Sequence, residues 1–215
     1  MAESPQTIRA FIAINLPHEV RAGVERVQHD LKRAAGTSWV RWTPAEQIHL
    51  TLKFLGNIPA ESVPELDAAL RRACAQVAPF ELRVSGLDCF PDSKRPRVLW
   101  VGLGGALDRL QELQKAIVIE TERWGEPEDR PFHPHLTLGR TKSTRPRELQ
   151  ALGAAIKAAP AAELGSWQVT RVDLMQSELF PEGARHTGLL EVPLAAVLGL
   201  PPVQGMTNVK RCKKA

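Results

Sequence analysis

The tetrapeptide His-Leu-Thr-Leu occurs twice in the sequence, starting at His49 and at His135. In a β-strand, successive side chains point to opposite faces, so each histidine shares a face with the threonine two residues later. The leucines then face the core, while an imidazole and a hydroxyl project together from the other side. If two such strands confront each other across a cleft, both imidazoles and the hydroxyls of Thr51 and Thr137 converge.

These groups suit in-line displacement at the phosphorus atom of a phosphodiester. One side chain must accept a proton from the attacking water, and another must donate a proton to the leaving oxygen. A histidine can fill either role because its ordinary pKa of about 6.5 lies close to neutral pH, and the hydroxyls can donate hydrogen bonds to the non-bridging oxygens. The symmetry of the motifs does not say which histidine is the acid. No carboxylates cluster around either motif, so we expect no metal and no other cofactor.

The composition is that of a globular, mildly basic protein. The 215 residues carry a formal net charge of +4 and give a pI of about 9.2, which favours a polyanionic partner only weakly. The sequence contains no apolar run long enough to cross a membrane and no secretory signal pattern. Cys74, Cys89 and Cys212 are odd in number and lack the spacing of a metal site, so we expect free thiols in a reducing cytoplasm.

The order of predicted elements repeats along the chain. Each half reads as strand, helix, motif strand, helix and strand. The helices are expected over 18–35, 61–78, 107–124 and 146–159. Three landmarks keep nearly one offset: Phe11 to Val98 is 87 residues, His49 to His135 is 86, and Phe80 to Trp167 is 87. A shared offset indicates an internal duplication.

We therefore predict an α+β fold with two lobes related by a pseudo-two-fold axis. Each lobe is expected to contain an antiparallel β-sheet with helices packed outside, and the active-site cleft is expected between the lobes. Residues 1–195 would form this single bilobal domain, with repeats at about 9–90 and 96–180, and the basic stretch 196–215 would be a flexible tail. One chain builds the whole cleft in this arrangement, so we expect a monomer without a membrane partner.

Side chains that flank the first motif are candidates for substrate contacts. Trp42 and Phe54 could stack on a nucleobase, although core positions are the alternative for such residues. Lys53 falls on the predicted face of His49 and Thr51 and could reach a nearby backbone phosphate.

Two arginines bracket the second motif, Arg130 and Arg140, and a guanidinium offers paired donors to phosphate oxygens. By alternation, Gly139 shares the face of His135, so Arg140 must turn back to reach a phosphate. His133 lies two residues before the motif, but a metal site there would lack a third ligand.

The flanks of both motifs resemble one known family. The chain is similar to the 2H phosphoesterases in five stretches between Arg9 and about Pro193: RAFIAINLP, VRWTPAEQIHLTLKFLGNI, FPDSKRPRVLWVGL, RPFHPHLTLGR and LMQSELFPEGARH. Within that group it resembles the bacterial and archaeal RNA 2′,3′-cyclic phosphodiesterases, once called 2′-5′ RNA ligases. The resemblance implies a bilobal α+β fold and hydrolysis of the 2′,3′-cyclic phosphate at the end of an RNA, single-stranded or tRNA-like, to a 2′-phosphate and a free 3′-hydroxyl.

The same resemblance implies a role for each motif residue. His49 would be the general acid, or proton donor, and His135 the general base, or proton acceptor. Thr51 and Thr137 would hold the phosphate, and Arg140 matches a family position that contacts it.

Alternatives remain open at this point. The same site could take a small nucleoside cyclic phosphate or a 2′-5′ linkage, and the reverse reaction would join a cyclic phosphate end to a 5′-hydroxyl. A different class of function is a binding module that recognises an RNA end in this cleft without catalysis, although two intact motif histidines favour catalysis. The family usually carries a tyrosine in the stretch after SELFPEG, and this chain has no tyrosine. His186 lies near that place, and we favour a surface position for it over one in the cleft.

Overall fold

The computed structural model describes residues 6–35, 39–125, 127, 131–142, 145–159, 163–180 and 183–195. Arg130, Cys212 and the tail predicted over 196–215 lie outside the described residues. The described strands are β1 (Thr7–Asn15), β2 (Val40–Trp42), β3 (His49–Pro59), β4 (Phe80–Phe90), β5 (Val98–Gly105), β6 (His135–Thr141), β7 (Glu163–Val169), β8 (Arg171–Phe180) and β9 (Gly183–Pro193). The described helices are α1 (His18–Ala35), α2 (Val63–Cys74), α3 (Leu107–Glu120) and α4 (Pro146–Ala158).

The helices follow the apolar spacing of the sequence. Each begins within two residues of its predicted start, and α1 buries Val20, Val24 and Leu31 as one stripe. All four pack against strands, and the buried leucines Leu50 and Leu136 of the two motifs belong to the same core. The predicted α+β class is therefore confirmed. Of the helices that the structure describes, none is long and apolar enough to traverse a bilayer.

The nine described strands form one antiparallel sheet, and the two predicted lobes are its two halves. The strand order is β7-β4-β5-β6-β3-β1-β8-β9, with β2 alongside β6. The halves meet where β6 lies beside β3, through the single register pair Leu50–Leu136. The two motif strands are thus the central pair of a curled sheet, and this pairing is what brings the motifs together.

The strand register supports two of the three repeat landmarks and contradicts the third. Asn15 pairs with His49 on the first motif strand as Gly102 pairs with His135 on the second, which reproduces the offset of 87 between β1 and β5. The match of Phe80 with Trp167 is wrong, because the counterpart of β4 in the other half of the sheet is β8, whereas β7 lies one strand further out, beside β4. Beside β5, β4 occupies the place that β8 occupies beside β1, so each repeat contributes a strand to the other half of the sheet.

Candidate active site

The two His-Leu-Thr-Leu motifs lie side by side at the centre of the sheet. Because β3 and β6 are antiparallel and Leu50 pairs with Leu136, each motif histidine lies across from the threonine of the other motif. The paired leucines are fully buried. Both histidines and both threonines line a cleft of about 810 Å³ on the opposite face of the sheet. The structure thus brings all four predicted residues into one cleft.

A β-bulge falls on the last residue of each motif. In β3 the pairing with β1 skips Leu52, and in β6 the pairing with β5 skips Leu138. A bulge adds one residue to its strand and reverses the alternation of side chains beyond it. As a result, Phe54 rather than Lys53 follows on the cleft face of β3, and Arg140 does so on β6; both line the cleft. The bulge is what turns Arg140 toward the motif.

The prediction that Lys53 reaches a phosphate is therefore wrong. Its side chain is 6% exposed, and its ammonium donates to the backbone carbonyl of Thr121 at 2.8 Å and to the hydroxyl oxygen of Thr121 at 3.1 Å. Burial lowers the pKa of Lys53. In the second motif strand, the residue that corresponds to Lys53 is Gly139. A Cβ at Gly139 would lie 2.9 Å from the carbonyl oxygen of Arg41, because β2 pairs with β6 at this point.

Lys53→Met is expected to lower the free energy of unfolding by about 1–3 kcal/mol, because the buried carbonyl and hydroxyl oxygens of Thr121 lose the charged donor and the carbonyl keeps only the N–H of Trp124. The affinity for inorganic phosphate should stay at the wild-type value, since the ammonium lies on the far side of the sheet from the cleft. Urea unfolding and isothermal titration calorimetry measure the two quantities. Lys115→Met, at an exposed position of α3, is the matched control. Lost phosphate affinity with unchanged stability would contradict this placement.

Each motif histidine is oriented by the backbone carbonyl two residues before it. Nδ1 of His49 lies 2.8 Å from the carbonyl oxygen of Gln47, and Nδ1 of His135 lies 2.8 Å from that of His133. A carbonyl can only accept, so Nδ1 carries the proton and donates it to this bond. In the neutral imidazole, Nε2 is then the unprotonated nitrogen. The two motifs therefore present the same ring atom for proton transfer.

Burial lowers the pKa of both motif histidines. For His49 the pKa falls to about 4; the neighbouring His186 lowers it further, and the hydrogen bond to Gln47 opposes the shift. For His135 burial is again the main cause, and the positive charge of Arg140 acts in the same direction. Both imidazoles are therefore mostly neutral at pH 7 while the cleft holds no anion.

His186 lies beside His49 in the cleft. Its ring meets the ring of His49 edge-on, with the centroids 5.2 Å apart, and it meets Phe11 in the same way at 4.9 Å. Phe11 in turn stacks on His49 at 4.7 Å. Among the described residues, Nδ1 of His186 is a buried atom with no hydrogen-bond partner. The expectation of an exposed surface position is wrong, because β9 follows β8, and β8 pairs with β1 from the far end of the chain.

Arginines give the cleft its positive charge. Arg140 on β6 and Arg41 on β2 are register partners, and both line the cleft together with Arg9 of β1. Sequence reasoning missed Arg41 and Arg9. Alternation along β1 puts Arg9 on the same face as Phe11, but only the pairing of β1 with β3 shows that this face lines the cleft. The position of Arg41 depends on the pairing of a three-residue strand, which leaves no periodic signal.

The two aromatic candidates differ in their surroundings. Trp42 lines the cleft but is half-buried and packs against the core, with the ammonium of Lys32 5.3 Å from its ring centroid. Phe54 is 58% exposed and lines the cleft, so it is not a core residue. In the part of the chain that the structure describes, no three His, Cys, Asp or Glu side chains come together as metal ligands would.

The sequence matches known proteins over most of its length. Residues 16–179 match the 2′-5′ RNA ligase superfamily. The chain is 32% identical over 182 residues to the RNA 2′,3′-cyclic phosphodiesterase of Methanothermobacter thermautotrophicus, covering 85% of this chain and 96% of the relative. It is 34% identical over 209 residues to the protein of the same name from Thermus thermophilus, covering 92% and 96%. The crystal structure of E. coli LigT with 3′-AMP superposes with a TM-score of 0.69 at 27% identity, covering 89% of this chain and 100% of that one.

Proposed function

The chain belongs to the 2′-5′ RNA ligase superfamily, and on this basis we propose that it hydrolyses the 2′,3′-cyclic phosphate at the end of an RNA, leaving a 2′-phosphate and a free 3′-hydroxyl. The observation that carries the proposal is the pair of imidazoles in one cleft, each with Nδ1 held by a backbone carbonyl so that Nε2 is the nitrogen that remains for proton transfer. The relatives named above carry the name of this activity, and E. coli LigT has been crystallised with a nucleoside phosphate.

The mechanism uses only side chains of the cleft. His135 accepts a proton from water through Nε2 while the water oxygen attacks phosphorus, the bond from phosphorus to O3′ breaks, and protonated His49 donates its Nε2 proton to O3′. The hydroxyls of Thr51 and Thr137 donate hydrogen bonds to the non-bridging oxygens, and Arg140 neutralises the charge that accumulates there. These groups supply a base, an acid and anion stabilisation, so the reaction requires no metal.

The same chemistry run in reverse would join a cyclic phosphate end to a 5′-hydroxyl through a 2′-5′ bond, because every step is microscopically reversible. We place this ligation second to hydrolysis, since water is present at far higher concentration than an RNA 5′-end. One chain contributes all the groups named above, so the enzyme would act as a monomer. Cys74 and Cys89 are buried free thiols, which fits a reducing cytoplasm.

The test is incubation of the full-length protein with an oligoribonucleotide ending in a 2′,3′-cyclic phosphate, in excess EDTA. Phosphorus NMR should show the cyclic signal replaced by that of a 2′-phosphate, at the same rate with and without EDTA. Loss of turnover in EDTA, restored by a divalent cation, would contradict the metal-independent mechanism. Binding of the oligonucleotide without turnover would instead assign the cleft to recognition of an RNA end.

A further inference from the structure

Exposed apolar side chains concentrate on one half of the cleft. Of the large apolar residues that stand exposed in the described part of the chain, Phe54 (58%), Leu179 (69%) and Phe180 (43%) line the cleft on the half formed by β1, β3, β8 and β9. Large apolar side chains that stand exposed along one cleft mark a surface where a ligand binds. None of the three is needed for the proton transfers proposed above.

The same half carries an unpaired positive charge. Arg9 shares the cleft face of β1 with Phe11, and no ion pair links its guanidinium to a carboxylate among the described residues. At the rim, the guanidinium of Arg185 lies 5.1 Å from the ring centroid of Phe180. Aromatic faces interleaved with cationic side chains are the surface that single-stranded nucleic acid recognises, by stacking of bases and by contact with its phosphates.

The direction of the reaction decides which half of the cleft the RNA must follow. In an in-line displacement, the attacking water and the leaving O3′ occupy opposite sides of phosphorus. The ribose is bonded to O3′, so the terminal nucleoside and the strand attached to its 5′ side extend on the side of the acid, His49. The neighbours of His49 are Phe11 and His186, on the strands that lead to Arg9, Phe54 and Leu179.

The surroundings of His135 differ from those of His49. Phe90 and Trp100 pack around His133 and His135, with ring centroids 5.0 to 6.0 Å apart, and do not line the cleft. These rings meet one another tilted or edge-on and leave no comparable exposed face among the residues described. A water molecule approaching His135 needs no such surface.

We propose that Arg9, Phe54 and Leu179 form a subsite for the nucleotide that precedes the cyclic end, with its base against Phe54 and Leu179 and its phosphodiester on Arg9. The subsite rests on the proposed function and narrows the substrate to an RNA strand of at least two nucleotides. A nucleoside 2′,3′-cyclic phosphate reaches only the reaction centre, whereas a longer strand also gains the stacking and charge contacts of the subsite.

The experiment compares kcat/KM for a trinucleotide ending in a 2′,3′-cyclic phosphate with kcat/KM for the nucleoside 2′,3′-cyclic phosphate of the same terminal base. Wild type is expected to favour the trinucleotide by about tenfold or more. Phe54→Ala and Arg9→Gln should each lower that ratio several-fold, and the double variant should bring it near one. Ile119→Ala on α3 and Arg26→Gln on α1, at exposed positions away from the cleft, are the matched controls.

Each result bears on the assignment. A wild-type ratio near one, or a ratio unaltered in the double variant, would overturn the subsite while leaving hydrolysis intact. If Arg41→Gln lowers the ratio and Arg9→Gln does not, the RNA strand passes over β2 instead. That result would also overturn the subsite. Hydrolysis of neither substrate by wild type would overturn the proposed function itself, which distinguishes the two failures.

Discussion

Replacing either motif histidine by alanine is expected to lower kcat/KM for an RNA 2′,3′-cyclic phosphate by about 10²–10⁴-fold, the usual contribution of one positioned acid or base. Both imidazoles line one cleft and offer Nε2 to the substrate. Each substitution therefore removes one of the two proton transfers. The variants should fold normally, because each ring is only partly buried and its backbone neighbours are unchanged. Steady-state rates and melting temperatures measure the two effects.

The roles of the two histidines separate when the leaving group no longer needs a proton. In a substrate that carries sulfur in place of O3′, the leaving thiolate is far less basic than an alkoxide, so protonation contributes little. His49→Ala should then recover most of the lost rate, whereas His135→Ala should remain as slow as on the oxygen substrate. If His135→Ala recovers the rate instead, His135 is the acid and His49 is the base. The RNA would then be expected on the His135 side of the cleft.

His29→Ala is the matched control for both variants. His29 is exposed on α1, away from the cleft, and alanine favours a helix at that position. Its kcat/KM should equal that of wild type on both substrates. A loss of less than about tenfold in both His49→Ala and His135→Ala, far below the usual contribution of an acid or base, would contradict two-histidine catalysis and favour a cleft that only binds.

The repeated motif let the sequence predict the centre of the site, because its information is local. Alternation places a histidine and a threonine on one face of a strand, and the offset of 86 residues pairs the two copies. The leucines of the motif identify the buried face, and Leu50 and Leu136 are indeed buried. None of this needs knowledge of which strands are neighbours.

The errors lie where local alternation or local order fails. A β-bulge inserts one residue without a compositional signal, so simple alternation predicts Lys53 on the cleft face that Phe54 occupies. The place of His186 depends on β8 pairing with β1, a contact between the two ends of the domain. Pairing across such distances is decided by the packing of the whole sheet, and no window of sequence contains it.

The stability of the free protein is expected to fall as the pH drops from about 6.5 to about 4, with a contribution of about 3 kcal/mol at most from His49. Burial lowers the pKa of this imidazole in the folded protein to about 4 from its ordinary value of 6.5. Within that window the unfolded chain binds the proton and the folded protein does not, so protonation favours unfolding. The contribution is complete above the unfolded pKa and is lost as the pH approaches the folded one.

Urea unfolding of wild type and His49→Gln at about pH 7.5 and pH 5 measures this contribution as a difference. His135 and His186 have lowered pKa values of the same sign, and burial raises the pKa of Asp173, which acts in the opposite direction. His135 and Asp173 are common to both proteins and cancel in the comparison, and the measured difference includes the coupling of His49 to its neighbour His186. Wild type should lose about 2 kcal/mol more than His49→Gln between the two pH values. Equal losses would show that His49 titrates normally.

The lowered pKa also constrains how His49 can serve as the acid. At pH 7, a pKa of about 4 leaves on the order of one free molecule in a thousand with His49 protonated. The anionic phosphate of the substrate favours the imidazolium form of His49. Substrate binding should therefore raise the pKa of His49, so that the bound enzyme carries the proton that is later transferred. The basic limb of the pH profile of kcat, which reports the bound state, is therefore expected at higher pH than that of kcat/KM, which reports the free protein. Coincident limbs would mean that the substrate leaves His49 neutral, and the leaving oxygen would then need another proton donor.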